Sequence, residues 1–156
     1  MIRAAAFAVL LLSASSAWAN QEQPKVALAQ GDFAAQRAQI ERDLADGKTY
    51  AEITAGDKAK VRESLERITG ELEGVESVDA LNESAKARVF NDQEQINQIL
   101  TAAEADSRLV CTREVKTGSN RKVTTCVTVA ERNRRRDVDQ RNLQDVQRST
   151  NGMRNN

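Results

Sequence analysis

The midpoint between Cys111 and Cys126, the only two cysteines, falls between Gly118 and Ser119 of a Thr117-Gly118-Ser119-Asn120 turn. The flanking stretches, 109–116 and 121–128, are rich in Val and Thr. Such residues favour a pleated, half-buried surface, so the pattern predicts a β-hairpin. Centred on Gly118-Ser119, that hairpin sets Cys111 opposite Cys126 and brings a cross-strand disulfide within reach. A redox-active pair is expected as C-x-x-C at a helix start, so this wide spacing favours a structural bond. Closing a loop of about 15 residues stabilises a fold by roughly 3 kcal/mol in the chain-entropy treatment. The alternation is imperfect, because Lys116 would face Arg121, so the hairpin is better specified than its register.

A disulfide requires an oxidising compartment, and the N-terminus supplies the address. Arg3 precedes an apolar run over 4–12, and Ala17-Trp18-Ala19 offers an A-x-A cleavage site, which together read as a secretory signal over 1–19. The apolar run rises only about 14 Å as a helix. That is short of the roughly 30 Å of bilayer hydrocarbon, so it is no lasting anchor. No later stretch reaches spanning length, and the chain is expected to be exported, to the periplasm or beyond the cell.

Residues 20–31 are polar, contain the only proline, Pro24, and show no period, so they read as a disordered leader. Apolar spacing then turns helical. Asp32 is placed as an N-cap before Phe33, Arg37, Ile40 and Leu44, and Gly47 can end that helix. Thr49 with Glu52 suggests a capped short turn carrying Tyr50 and Ile53. Thr54 and Asp57 open the clearest helix, with Val61, Leu65, Ile68, Leu72 and Val75 at alternating spacings of four and three, stopping near Glu73. A third helix from about Asn82 carries Ala85, Val89, Phe90, Ile96, Ile99, Leu100 and Ala103, with a kink or restart expected at Asn91-Asp92. Three amphipathic helices with short connections predict a bundle. A coiled coil with another chain is the weaker reading, since the heptad of the second helix lasts only about two repeats. Thr128 and Glu131 make a capping box for a last helix over 129–148, poor in apolar residues and fraying beyond.

The chain has no histidine, which excludes imidazole acid–base catalysis, His-assisted nucleophiles and imidazole metal ligation. Two cysteines are too few for a zinc cage or an iron–sulfur cluster in one chain. No phosphate loop, dinucleotide fingerprint, nucleophile elbow or calcium loop is present, and nothing calls for a cofactor or metal. Acid pairs such as Glu41 with Asp43, or Glu71 with Glu73, lie two apart on a helix and point in different directions, as solvated faces do. With 3% aromatics and its one Trp in the signal segment, the chain lacks base-stacking platforms, which argues against nucleic acid.

Charge is the informative remainder. Lys plus Arg and Asp plus Glu are each 23, yet residues 108–156 hold twelve basic and five acidic side chains. Residues 20–107 hold ten basic and eighteen acidic ones, so halves of +7 and −8 hide inside a neutral total. In one reading the basic helix is solvated and laced with pairs such as Glu131–Arg135, Asp137–Arg141 and Asp145–Arg148, its residual charge facing the acidic bundle. In the other, Arg113, Lys116, Arg121, Lys122, Arg132, Arg134, Arg135 and Arg136 form a face for an anionic partner, an acidic protein, polymer or envelope surface.

The segment Leu109-Val110-Cys111-Thr112-Arg113-Glu114-Val115-Lys116-Thr117-Gly118-Ser119, followed by Cys126-Val127-Thr128-Val129-Ala130-Glu131-Arg132, resembles an element of small exported gammaproteobacterial proteins. Val89 to Glu94 and Glu104 to Cys111 are similar to members of the same group. The resemblance spans about residues 32–140 and implies an exported protein with a paired-cysteine hairpin. No activity or catalytic residue comes with it.

The expected fold is therefore mainly α. It has a signal at 1–19, a leader at 20–31, a three-helix bundle at 32–106, a disulfide hairpin at 107–128, a charged helix at 129–148 and a disordered tail at 149–156. The expected function is non-enzymatic binding of an anionic partner through the basic C-terminal third. A homo-oligomeric structural role is the alternative, and a hydrolase using clustered carboxylates is the least supported.

Overall fold

A computed structural model describes residues 24–29, 32–115 and 117–154. The expected signal segment and Lys116 lie outside the described residues. Among the described residues the chain is mainly helical, with helices α1 (Phe33–Ala45), α2 (Ala55–Glu71), α3 (Glu83–Ser107) and α4 (Val129–Arg154). A 3-10 turn (Val78–Ala80) precedes α3, and strands β1 (Leu109–Val115) and β2 (Lys122–Thr128) precede α4. No described helix is long and apolar enough to cross a membrane.

The caps explain where the helices begin. The carboxylate of Asp32 accepts from the Ala34 amide, the Thr54 hydroxyl from the Asp57 amide and the Asn82 side chain from the Ala85 amide. α1 ends at Asp46, after which Gly47 takes φ +65°, a conformation that side chains with a Cβ rarely adopt. The Lys58 ammonium donates to the Leu44 carbonyl at 2.5 Å and satisfies one of the free carbonyls of that end. α2 stops at Glu71, and Leu72 closes its last turn.

Stripes on three helices meet in one core: Ile40 and Leu44 from α1, Val61, Leu65 and Ile68 from α2, and Val89, Ile96, Leu100 and Ala103 from α3. Ionic contacts bracket it. Arg67 of α2 grips Asp92 of α3 with Nε and Nη2 at 3.0 and 2.6 Å, and Arg88 of α3 reaches Glu71 of α2 at 2.8 Å. Buried Ser64 donates to Gln95 and accepts from Arg67, both at 2.9 Å, which satisfies its hydroxyl.

Three expectations need correction here. Residues 24–29 form part of the core, where the polar composition suggested a disordered leader. Val26 is fully buried and Leu28 nearly so. Their backbone is held by side-chain amides: the Val26, Ala27 and Leu28 N–H groups donate to Asn97, Gln36 and Gln93 at 2.8, 2.8 and 2.9 Å. Asn97 and Gln36 return the bond to the Val26 and Ala27 carbonyls at 2.9 and 3.2 Å. Lys25 is ion-paired with Glu104. Second, α3 runs unbroken through Asn91-Asp92, and Phe90 is 43% exposed, since a helix turns each successive side chain by about 100° and Val89 already faces inward. Third, α4 continues to Arg154, so the stretch expected as a disordered tail is helical through that residue.

Candidate anionic-partner surface

The hairpin positions the first group of candidate residues. β1 and β2 pair antiparallel with Cys111 opposite Cys126, Arg113 opposite Thr124 and Val115 opposite Lys122. The two cysteines are disulfide-bonded, with Cα atoms 4.0 Å apart. Gly118 takes φ +83° in the turn, which Gly permits at little cost, and the Ser119 hydroxyl accepts from the Arg121 amide at 3.1 Å. Directly opposed residues share a face, so Leu109, the disulfide, Arg113, Val115 and Lys122 line one side, while Glu114 lies on the other. Among the described residues of the hairpin, only Val110, Val127 and Thr128 at its base are even half-buried.

The base of the hairpin joins the bundle through one carboxylate that sequence reasoning misassigned. Glu52 makes no capping box with Thr49, because Thr49 donates instead to the Asp46 carboxylate, from its amide at 3.0 Å and its hydroxyl at 2.6 Å. The Glu52 amide donates to the Ser107 hydroxyl at 2.9 Å. Its carboxylate accepts from the Thr128 hydroxyl at 2.5 Å and from Arg134 Nη1 at 2.8 Å. Hydrogen bonds from Arg134 and then Thr128 hold the Glu52 carboxyl below its ordinary range. A pairing across so many residues leaves no local spacing signal. Its only trace in the sequence is an acid beside a short turn.

Thr128 also accepts from the Glu131 amide at 3.1 Å, so half of the expected capping box forms. The Glu131 carboxylate turns to Arg134 and Arg135, at 3.0 and 2.7 Å. The Arg134 guanidinium, held by Glu52 and then Glu131, is stabilised further in its charged form. The other two pairs expected on α4 take different forms. Arg141 donates to the Asp137 backbone carbonyl at 3.1 Å, and the Asp145 carbonyl accepts from Ser149 at 2.9 Å.

The seven candidate cations among the described residues therefore divide. Arg134 and Arg135 are engaged by acids of the same chain. Arg132 is half-buried at the start of α4, with its Nε enclosed and without a partner among the described residues. Arg113, Arg121, Lys122 and Arg136 are exposed, and none forms an ion pair among the described residues. From residue 133 to 150, α4 is exposed throughout, Val138, Leu143 and Val146 included. Among the described residues, α4 pairs with an acid of the bundle only at the Glu52 junction.

The acid pairs proposed as solvated faces behave differently from one another. Glu41 binds Arg62 at 3.2 Å and Glu71 binds Arg88, while Asp43 accepts from Gln39 at 2.7 Å. Among the described residues, no group of three or more metal-ligating side chains comes together. In comparisons with known proteins, no family model, curated protein or solved structure matches the chain.

Proposed function

We propose that this chain is an exported, non-enzymatic binding protein that holds an acidic protein on its basic hairpin and the adjoining part of α4. One observation carries the reading. Arg113, Arg121, Lys122 and Arg136 stand exposed with no ion pair among the described residues, and exposed Leu109 (63%) and Val115 (56%) share the hairpin face of Arg113 and Lys122. Unpaired cations interleaved with apolar groups give a surface that attracts by charge and holds by burial. The disulfide fits an exported protein, since such bonds persist in oxidising compartments.

The test is fluorescence anisotropy with labelled poly-L-glutamate as the acidic probe, at low and at physiological salt. Binding is expected to weaken steeply with salt, because exposed charges are screened over about 8–10 Å. Replacing Arg113, Arg121, Lys122 and Arg136 together by Gln should abolish it. Binding indifferent to salt and to those replacements overturns the reading. Preference for anionic lipid vesicles over the polypeptide would transfer the surface to a membrane partner.

A further inference from the structure

A second surface lies at the opposite end of the bundle. The Glu52 junction adjoins the start of α2, whose 17 residues carry the chain about 25 Å to its far end. There a groove of about 720 Å³ opens among the segment before α1, the end of α2 and the 3-10 turn. Leu28, Phe33, Leu72 and Val78 give it apolar walls. Asp32, Glu73 and Glu76 stand exposed on its rim, and none forms an ion pair among the described residues.

We infer that this groove receives the hairpin of a second copy of the chain, with the Arg113–Val115–Lys122 face inserted against Glu73 and Glu76. The inference rests on the reading that the basic hairpin binds an acidic protein, and it names that protein. The match is one of charge and polarity. The groove is apolar with an acidic rim, and the hairpin face presents exposed Val115 directly opposite Lys122 and next along the strand face from Arg113, with no acid on that side among the described residues. α4 is a poorer occupant, because Asp139 and Asp145 interrupt its apolar residues Val138, Leu143 and Val146 and would meet the acidic rim. A chain of zero net charge whose parts carry opposite signs favours such head-to-tail contact. Because groove and hairpin are different surfaces, the contact is heterologous and extends into chains or rings instead of closing a two-fold dimer.

The experiment is sedimentation velocity on the purified, oxidised protein over a concentration series, with two surface variants. Glu73→Lys with Glu76→Lys disables the groove, and Arg113→Gln with Lys122→Gln disables the hairpin without making it a match for the reversed groove. Both pairs are exposed, and circular dichroism checks that helix content is kept. The wild type should associate with rising concentration, each variant alone should be monomeric, and their mixture should form a 1:1 complex that grows no further, since each retains one working surface. A monomeric wild type overturns the inference, as does association that survives either variant. Failure of the mixture to form the complex also overturns it, and so does association lost on Val138→Asp with Leu143→Asp but kept in the hairpin variant. A monomeric protein that still binds poly-L-glutamate with steep salt dependence removes the second copy as partner while the binding reading stands. A protein that does neither removes both.

Discussion

Replacing Asn97 by Ala tests whether residues 24–29 are structural. Asn97 clamps the Val26 backbone, accepting from its amide at 2.8 Å and donating to its carbonyl at 2.9 Å. Val26 is fully buried, so neither freed backbone group has water at hand. A buried polar group stripped of its partner costs about 1–3 kcal/mol, and two such groups, partly relieved by water entering the space left by the amide, give about 2–4 kcal/mol. Domains of this size hold about 5–15 kcal/mol in total, so the loss is a large fraction. It should lower Tm by roughly 10 °C. Asn97→Asp, which sets a carboxylate oxygen against the Val26 carbonyl in a part-buried site, should not rescue the loss. Gln98→Ala, which removes an exposed bond to Glu94, should stay within about 0.5 kcal/mol. The assay is urea unfolding followed by circular dichroism, paired with hydrogen exchange of the Val26, Ala27 and Leu28 amides. If Asn97→Ala costs under about 0.5 kcal/mol and leaves Val26 exchange unchanged, the clamp is not structural.

Leu100→Ala empties a fully buried position on α3 and should cost about 2–5 kcal/mol in the same unfolding assay. Cys111→Ser, or reduction, should loosen the hairpin in near-ultraviolet dichroism and exchange while most helical signal remains, because the strands bury little outside their base. Acidification should destabilise the fold. Glu52 and Glu71 are held below their ordinary range chiefly by hydrogen bonds from Arg134 and Arg88. Their contribution is full above the unfolded carboxyl value of about 4.3 and is lost as pH falls toward the folded value, and Glu52→Gln should flatten that slope. Tyr50 is buried and its phenol is pushed up to about 12, chiefly by burial. That stabilisation is present below about pH 10 and is lost as pH rises, so phenolate absorbance should appear together with unfolding.

What could be read from the sequence follows the range of the interactions involved. Caps at Asp32, Thr54 and Asn82, and the stripes of α1 to α3, are set by spacings of three and four residues, and so were legible. The hairpin register is symmetric about Gly118-Ser119, and the disulfide obeys it. The clamp on residues 24–29 was not legible. Gln93 and Asn97 sit within the inward seam of α3 and look like polar interruptions until the extended segment they hold is in view. The period-two pair Val26 and Leu28 was the only local sign of it. The division of the candidate cations was hidden for the same reason, since the acid that claims Arg134 lies in a turn before α2.

The central claim is that the hairpin and the start of α4 form a contact surface separate from the bundle core. Hydrogen exchange of the oxidised protein with and without excess poly-L-glutamate tests it most directly. Protection gained over residues 109–136, with α1 to α3 unchanged, is the predicted result. Protection confined to the bundle, or none at concentrations where the probe is bound, would contradict it.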